Sequence, residues 1–118
     1  MGPDAQFRAF LAEGRFMIQR GVESGTPVFY PRAVAPFTGE ALMWVPASGR
    51  GTVYATTVTR RRSPEPTTNV ALVELEEGPR LMSRIDGIDP AAVRIGMSVV
   101  ARIISESDAP LLIFEPAP

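Results

Sequence analysis

Cysteine, histidine and lysine are all missing from this 118-residue chain. Without thiols or imidazoles there can be no disulfide, no zinc site of the usual sulfur or nitrogen ligands, and no cysteine nucleophile. Serine activation by a neighbouring histidine or lysine goes with them, as does Schiff-base chemistry. Carboxylates, hydroxyls and arginines remain, a thin kit for an enzyme, so the sequence predicts no catalytic residue, no cofactor and no bound metal. Long apolar runs are missing too, since nothing approaches the ~20 residues that span a bilayer. The opening MGPDAQF has neither the basic start nor the apolar core of a secretory leader, and Gln6 stands where a myristoylation signal needs Ser or Thr. A cytoplasmic protein with no membrane contact is the expectation.

What is there reads as one small globular unit. Its 45% hydrophobic and 21% charged residues are ordinary for a soluble domain. A chain of this length buries roughly two-thirds of its unfolded surface, enough for one core. Twelve prolines and ten glycines fall singly, which suits short strands and turns better than a helical bundle. Net charge is −1, but eight arginines face four acids up to Arg62 and four face nine beyond it. Such a split can orient a docking partner, yet it falls short of the basic footprint that nucleic acid requires.

Residues 4–14 (DAQFRAFLAEG) predict a short amphipathic helix, with Asp4 as cap, Phe7, Phe10 and Leu11 on one face, and Gly14 as stop. About ten residues of helix are not stable alone, so that face must pack on something. Residues 15–46 hold short apolar runs (FMI, VFY, LMWV) separated by Ser24-Gly25 and Thr38-Gly39, predicting two small turns with little core. From residue 47 the pattern turns to strands, over residues 51–59, 69–75 and 79–85, with Glu76-Glu77-Gly78 as a hairpin turn. On the third, Leu81, Ser83 and Ile85 share a face opposite Arg80, Met82 and Arg84. Asp89-Pro90 signals a single helical turn, followed by strands at 97–104 and 111–114. Three strands, a short helix and two more strands is the order of a five-stranded OB-fold barrel. The predicted fold is therefore mainly β: an N-terminal helix (1–14), a degenerate, metal-free ribbon-like segment (15–46) and an OB-fold barrel (47–118).

Tyr30-Pro31-Arg32, SGRGTVY at 48–54, VELEEGPRLM at 73–82, and Asp89-Pro90 with RIGM at 94–97 together resemble the DUF35 family. The resemblance covers nearly the whole chain. It implies a rubredoxin-like zinc ribbon joined to an acyl-CoA-associated OB-fold. Family ribbons carry two Cys-x-x-Cys knuckles, and here those positions fall on Gly21, Ser24, Ala35 and Thr38. None of the four can replace a thiolate on zinc. A structural zinc supplies about 10–16 kcal/mol of apparent binding energy that is also folding energy. The sequence offers packing of Val22, Val28, Phe29, Val34, Phe37 and Trp44, on the barrel or under a partner subunit, as compensation.

The residues singled out for function are Phe29, Tyr30, Arg32, Trp44 and the run Arg60-Arg61-Arg62. The arginine run lies between the first two barrel strands, a ligand-binding loop in OB-folds, where guanidinium forks suit CoA phosphates or an acidic protein surface. A plain solvated loop is the simpler reading. Tyr30-Pro31-Arg32 suits adenine stacking or an interface, or merely shapes a turn. Trp44 reads best as a seal between two substructures. Glu74, Glu76 and Glu77 read as exposed hairpin charges rather than acid–base catalysts. The resemblance implies a non-catalytic accessory subunit, docked on a thiolase-fold enzyme and helping it bind acyl-CoA. The rival is a single-stranded nucleic-acid-binding OB-fold, which needs stacking aromatics and a basic groove. Tyr54 is one of few barrel aromatics, and the C-terminal half is acidic.

Overall fold

A computed structural model of the protein describes residues 2–59 and 68–118. Pro3 supplies the preset φ of a first helical position, and α1 (Pro3–Ala12) runs from it. Its N-cap is Gly2, with no side-chain bond, so Asp4 sits inside the first turn rather than capping the helix. There its charge still favours the positive end of the helix dipole. The chain then leaves through Gly14 in the left-handed region.

Three short strands follow: β1 (Met17–Gly21), β2 (Pro27–Val28) and β3 (Leu42–Pro46). They form an antiparallel ribbon sheet in the order β2-β1-β3. The connections at residues 22–26 and 29–41 are the two knuckle turns.

The second sheet holds β4 (Arg50–Thr59), β5 (Thr68–Leu75), β6 (Arg80–Ser83), β7 (Ser98–Glu106) and β8 (Ala109–Pro116). Its order is β6-β5-β4-β7-β8. Strand β4 pairs with β7 through Arg50, Gly51 and Thr52, and with β5 along most of its length. A bulge between Val53 and Ala55 bends it around the core. Gly51 is needed at that crossing, because a Cβ there would lie 2.7 Å from Val73 Cγ1 and 2.9 Å from the Glu74 carbonyl. Ile85 bridges Phe114 in parallel, and the Asp86 amide donates to the Phe114 carbonyl at 2.8 Å. These bonds curl the two ends of the sheet together, and the result is the expected OB-fold.

The alternation read in the sequence fills the barrel. Val53, Val73, Leu75, Leu81, Ile85, Val99 and Phe114 are buried in one cluster, and Val93 plugs it just after a 3-10 turn at Pro90–Ala92. Asp89 caps that turn by accepting from the Ala91 amide at 3.0 Å, as its sequence suggested. Leu11 of α1 and Ile18 of β1 belong to the same cluster, so helix and ribbon both lean on the barrel. The last hairpin is longer than predicted. Ser107 and Asp108 both take positive φ, the geometry of a two-residue turn, so β7 and β8 run right up to it.

Candidate functional site

Residues 29–32 leave β2 and cross the face of the molecule, held at three points. The Phe29 ring meets the Phe7 ring of α1 edge-on at 5.3 Å between centroids. The Tyr30 hydroxyl accepts from the Met82 amide of β6 at 3.0 Å. Gln19, only 4% exposed, grips the Arg32 backbone from both sides. Its Nε2 donates to the Arg32 carbonyl and its Oε1 accepts from the Arg32 amide, both at 2.8 Å. Such bonds satisfy a buried amide side chain completely at its two ends, which fixes the segment's register.

Pinned this way, residues 29–32 form a partition between two open clefts. On one side lies a cleft of about 620 Å³, bounded by Val28, Phe29, Arg32, Pro36, Phe37 and the hairpin at residues 77–79. On the other is a groove of about 280 Å³ between α1 and the β6/β8 seam, lined by Phe7, Leu11, Tyr30, Pro31, Met82 and Leu111. Asp4 and Arg8 also line this groove. Tyr30 and Met82 keep more than half of their surface exposed. No ion pair among the described residues engages Arg8 or Arg32. The surface is apolar with two guanidiniums that no described ion pair engages, a composition suited to contact with a protein or an anionic ligand.

Phe29, Tyr30 and Arg32 are thus brought together. Trp44 stands apart: its indole N–H donates to Gln6 at 2.9 Å and its ring meets Phe10 at 5.3 Å. These contacts tie β3 to α1. Arg60, Arg61 and Arg62 lie outside the described residues. The hairpin acids are each engaged. Glu74 pairs with Arg80 at 2.9 Å, Glu76 with Arg50 at 2.8 Å, and Glu77 accepts from the Ser48 amide at 2.6 Å. Arg80 also lies 3.7 Å over the Tyr54 ring, covering the face on which a base would stack.

The knuckle turns correct one expectation. Val22, Val34 and Phe37 do not pack on the barrel; all three are exposed, Phe37 completely. Val28 is buried, and Phe29 and Trp44 are half-buried. A polar group does the joining instead. Glu40 Oε1 accepts from the Glu23 and Ser24 amides of the first turn, each at 3.0 Å. Its Oε2 accepts from the Thr38 hydroxyl of the second at 3.2 Å. The Ser24 bonds above all, with help from Glu23 and Thr38, hold the carboxyl below its ordinary value. Gly21, Ser24, Ala35 and Thr38 offer zinc no thiolate or imidazole, and the described residues contain no group of three or more acids that could hold an ion.

Sequence reasoning missed two residues here. Glu40 gave a signal only in retrospect, as a carboxylate two positions beyond Thr38, where the resemblance puts a ligand. The sequence predicts Phe37 packed on the barrel or under a partner, and its exposed placement comes from the turn, where it takes a positive φ of 70°, and not from its hydrophobicity. Among the described residues no helix is long and apolar enough to cross a membrane.

Comparison with known proteins sets these features in context. Residues 44–103 match the family of the ChsH2 C-terminal OB-fold domain. A chain of the solved Ltp2-ChsH2(DUF35) aldolase superposes with a TM-score of 0.86 at 32% identity, covering 98% of this chain and 95% of that one. A DUF35 protein of unknown function from Sulfolobus solfataricus gives 0.70 at 15% identity over 96% and 84% of the two chains, a likeness of fold alone. In sequence, the chain is 45% identical over 76 residues to the 3-oxo-4,17-pregnadiene-20-carboxyl-CoA hydratase alpha subunit of Mycobacterium tuberculosis, covering 62% of this chain and 24% of that protein. It is 36% identical over 110 residues to a probable enoyl-CoA hydratase alpha subunit of Thermomonospora curvata, covering 87% and 34%. The chain therefore spans about a quarter to a third of the curated relatives it matches.

Proposed function

Because this chain belongs to the DUF35 family, with the OB-fold of the ChsH2 C-terminal domain, we propose that it is an accessory module of acyl-CoA metabolism, working in the cytoplasm without catalysing a reaction itself. Its partner is a thiolase-fold enzyme, to which it contributes part of the approach for the acyl-CoA substrate. The observation that carries the reading is the near-complete match to a chain of an aldolase with two named components, Ltp2 and ChsH2. The hydratase alpha subunits support the acyl-CoA side of it.

The residues fit such a role. Tyr30, Met82 and Phe37 present apolar surface on a framework whose hydrogen bonds are already made. Preformed surfaces of this kind lose little entropy on docking. Arg32 beside the larger cleft is a free fork for a CoA phosphate or a partner carboxylate. The hairpin acids are already engaged at the surface in ion pairs or hydrogen bonds. Nucleic-acid binding loses its best stacking residue to the Arg80–Tyr54 contact.

The test is reconstitution from purified components. The chain mixed with a thiolase-fold enzyme encoded beside it should elute as one stoichiometric complex, and acyl-CoA turnover should need the enzyme. Turnover of an acyl-CoA by the chain alone would sink the proposal, as would two separate elution peaks at micromolar concentrations.

A further inference from the structure

Two chain turns that a metal would otherwise join are here joined by a side chain. We infer that the Glu40 carboxylate stands in the place of the ion, forming a structural anion site built from the first turn's amides and the second turn's hydroxyl. The site does not depend on the docking role proposed above.

Three observations carry it. First, the acceptors and donors span both turns: Glu23 N and Ser24 N reach one carboxylate oxygen and Thr38 Oγ1 the other. Second, two of the four positions where the resemblance puts zinc ligands take part directly. Ser24 donates through its amide, and Thr38 donates to the carboxylate and accepts from the Glu40 amide at 3.3 Å. A third position, Ala35, is tied to the same residue, its amide donating to the Glu40 carbonyl at 3.0 Å. Third, the remaining position is Gly21, and a Cβ there would collide with the Glu40 carboxylate and the Ser24 hydroxyl. A cysteine at 21 and this placement of Glu40 are therefore mutually exclusive. Either four thiolates surround a cation, or a glycine leaves room for a carboxylate that backbone amides neutralise. Charge logic inverts between the two, since amide N–H groups converging on one point favour an anion.

The other charged groups near the site are few. Glu23 lends its amide, Arg32 and Glu77 line the same cleft, and none of them pairs with Glu40. The bond set belongs to Glu40 alone.

Amide hydrogen exchange on the whole chain tests the site without assuming any partner. In Glu40→Gln and in Gly21→Ala, exchange at Glu23 and Ser24 should quicken by at least about tenfold, with barrel amides unchanged. Added zinc or a chelator should leave the native chain's exchange untouched. A second variant set reverses the substitution: cysteines at Gly21, Ser24, Ala35 and Thr38 combined with Glu40→Ala should bind one zinc per chain and restore slow exchange at residues 23 and 24. Unchanged exchange in both single variants overturns the inference, whether or not the cysteine variant folds. So does zinc uptake by the native chain.

Discussion

The barrel and the ribbon sheet are both small antiparallel assemblies, yet different forces hold them. In the barrel, every strand contributes to one buried apolar cluster. The ribbon contributes Met17, Ile18, Val28 and Ala35 to the buried apolar set, and Ile18 is spent on the barrel's core. What the ribbon has instead is hydrogen bonding, with Gln19 gripping Arg32 and Glu40 spanning the knuckles. The two regions share one device. Asn69 of β5, 5% exposed, clips the Ile85 backbone with a 2.8 Å bond at each end, as Gln19 clips Arg32. In the barrel that clip supplements packing. In the ribbon it largely takes the place of packing.

The largest effect should come from breaking the packed side. Phe114→Ala removes the ring at the barrel's closure and should cost about 3–5 kcal/mol in denaturant unfolding, a large part of the stability of a domain this size. Ribbon and helix should unfold with it, since Phe16 touches that ring edge-on at 6.5 Å. A ribbon that stays ordered would break the comparison.

Next come the two clips. Asn69→Ala strands a buried amide and carbonyl, at about 1–3 kcal/mol, and Gln19→Ala, whose partners on Arg32 are only part-buried, should cost less. Asn69→Ala should lower global stability at nearly full value, while Gln19→Ala should also raise the mobility of residues 29–32 and weaken partner binding. Equal binding by both variants would remove the functional half of that distinction.

Acid should then separate the regions without mutation. The Glu40 carboxyl is held below its ordinary value of 4.5 chiefly by the Ser24 bonds. A folded pKa depressed in this way contributes stability that is fully present above the unfolded value and is lost as pH falls through the folded one. The Glu23 and Ser24 amide resonances should shift together below the usual carboxylate range, well before barrel amides respond. In Glu40→Gln that shared step should vanish.

Smallest in stability is Phe37→Ser. A fully exposed residue at positive φ loses little on replacement, so unfolding should move by less than about 0.5 kcal/mol. Binding to the proposed enzyme partner should nevertheless fall about tenfold or more if Phe37 is an anchor. Unaltered affinity would move the contact surface to the groove beside Tyr30.

These contrasts also explain how far the sequence could be read. Packed strands announce themselves: NVALVEL and PRLMSRI alternate visibly, and Asp89-Pro90 marks its turn because capping chemistry is local. Tyr30-Pro31-Arg32 drew attention by composition, and the structure adds the Gln19 and Met82 bonds that hold it. Glu40 stayed hidden because two of its donors are backbone amides up to 17 residues away, a relation no side-chain pattern encodes. Packing of Phe37 on the barrel failed for the opposite reason, since hydrophobicity says what a side chain prefers and the turn decides where it points.

One bond has a reach beyond its own neighbourhood. Strand β6 is a terminal strand of its sheet, and an unoccupied amide there invites a foreign strand to add on. The Tyr30 phenol already occupies the Met82 amide, so a second chain finds that rung of the ladder taken. The same aromatic that faces prospective partners therefore also guards against indiscriminate fibre growth, and a phenylalanine in its place would keep the ring while surrendering the guard.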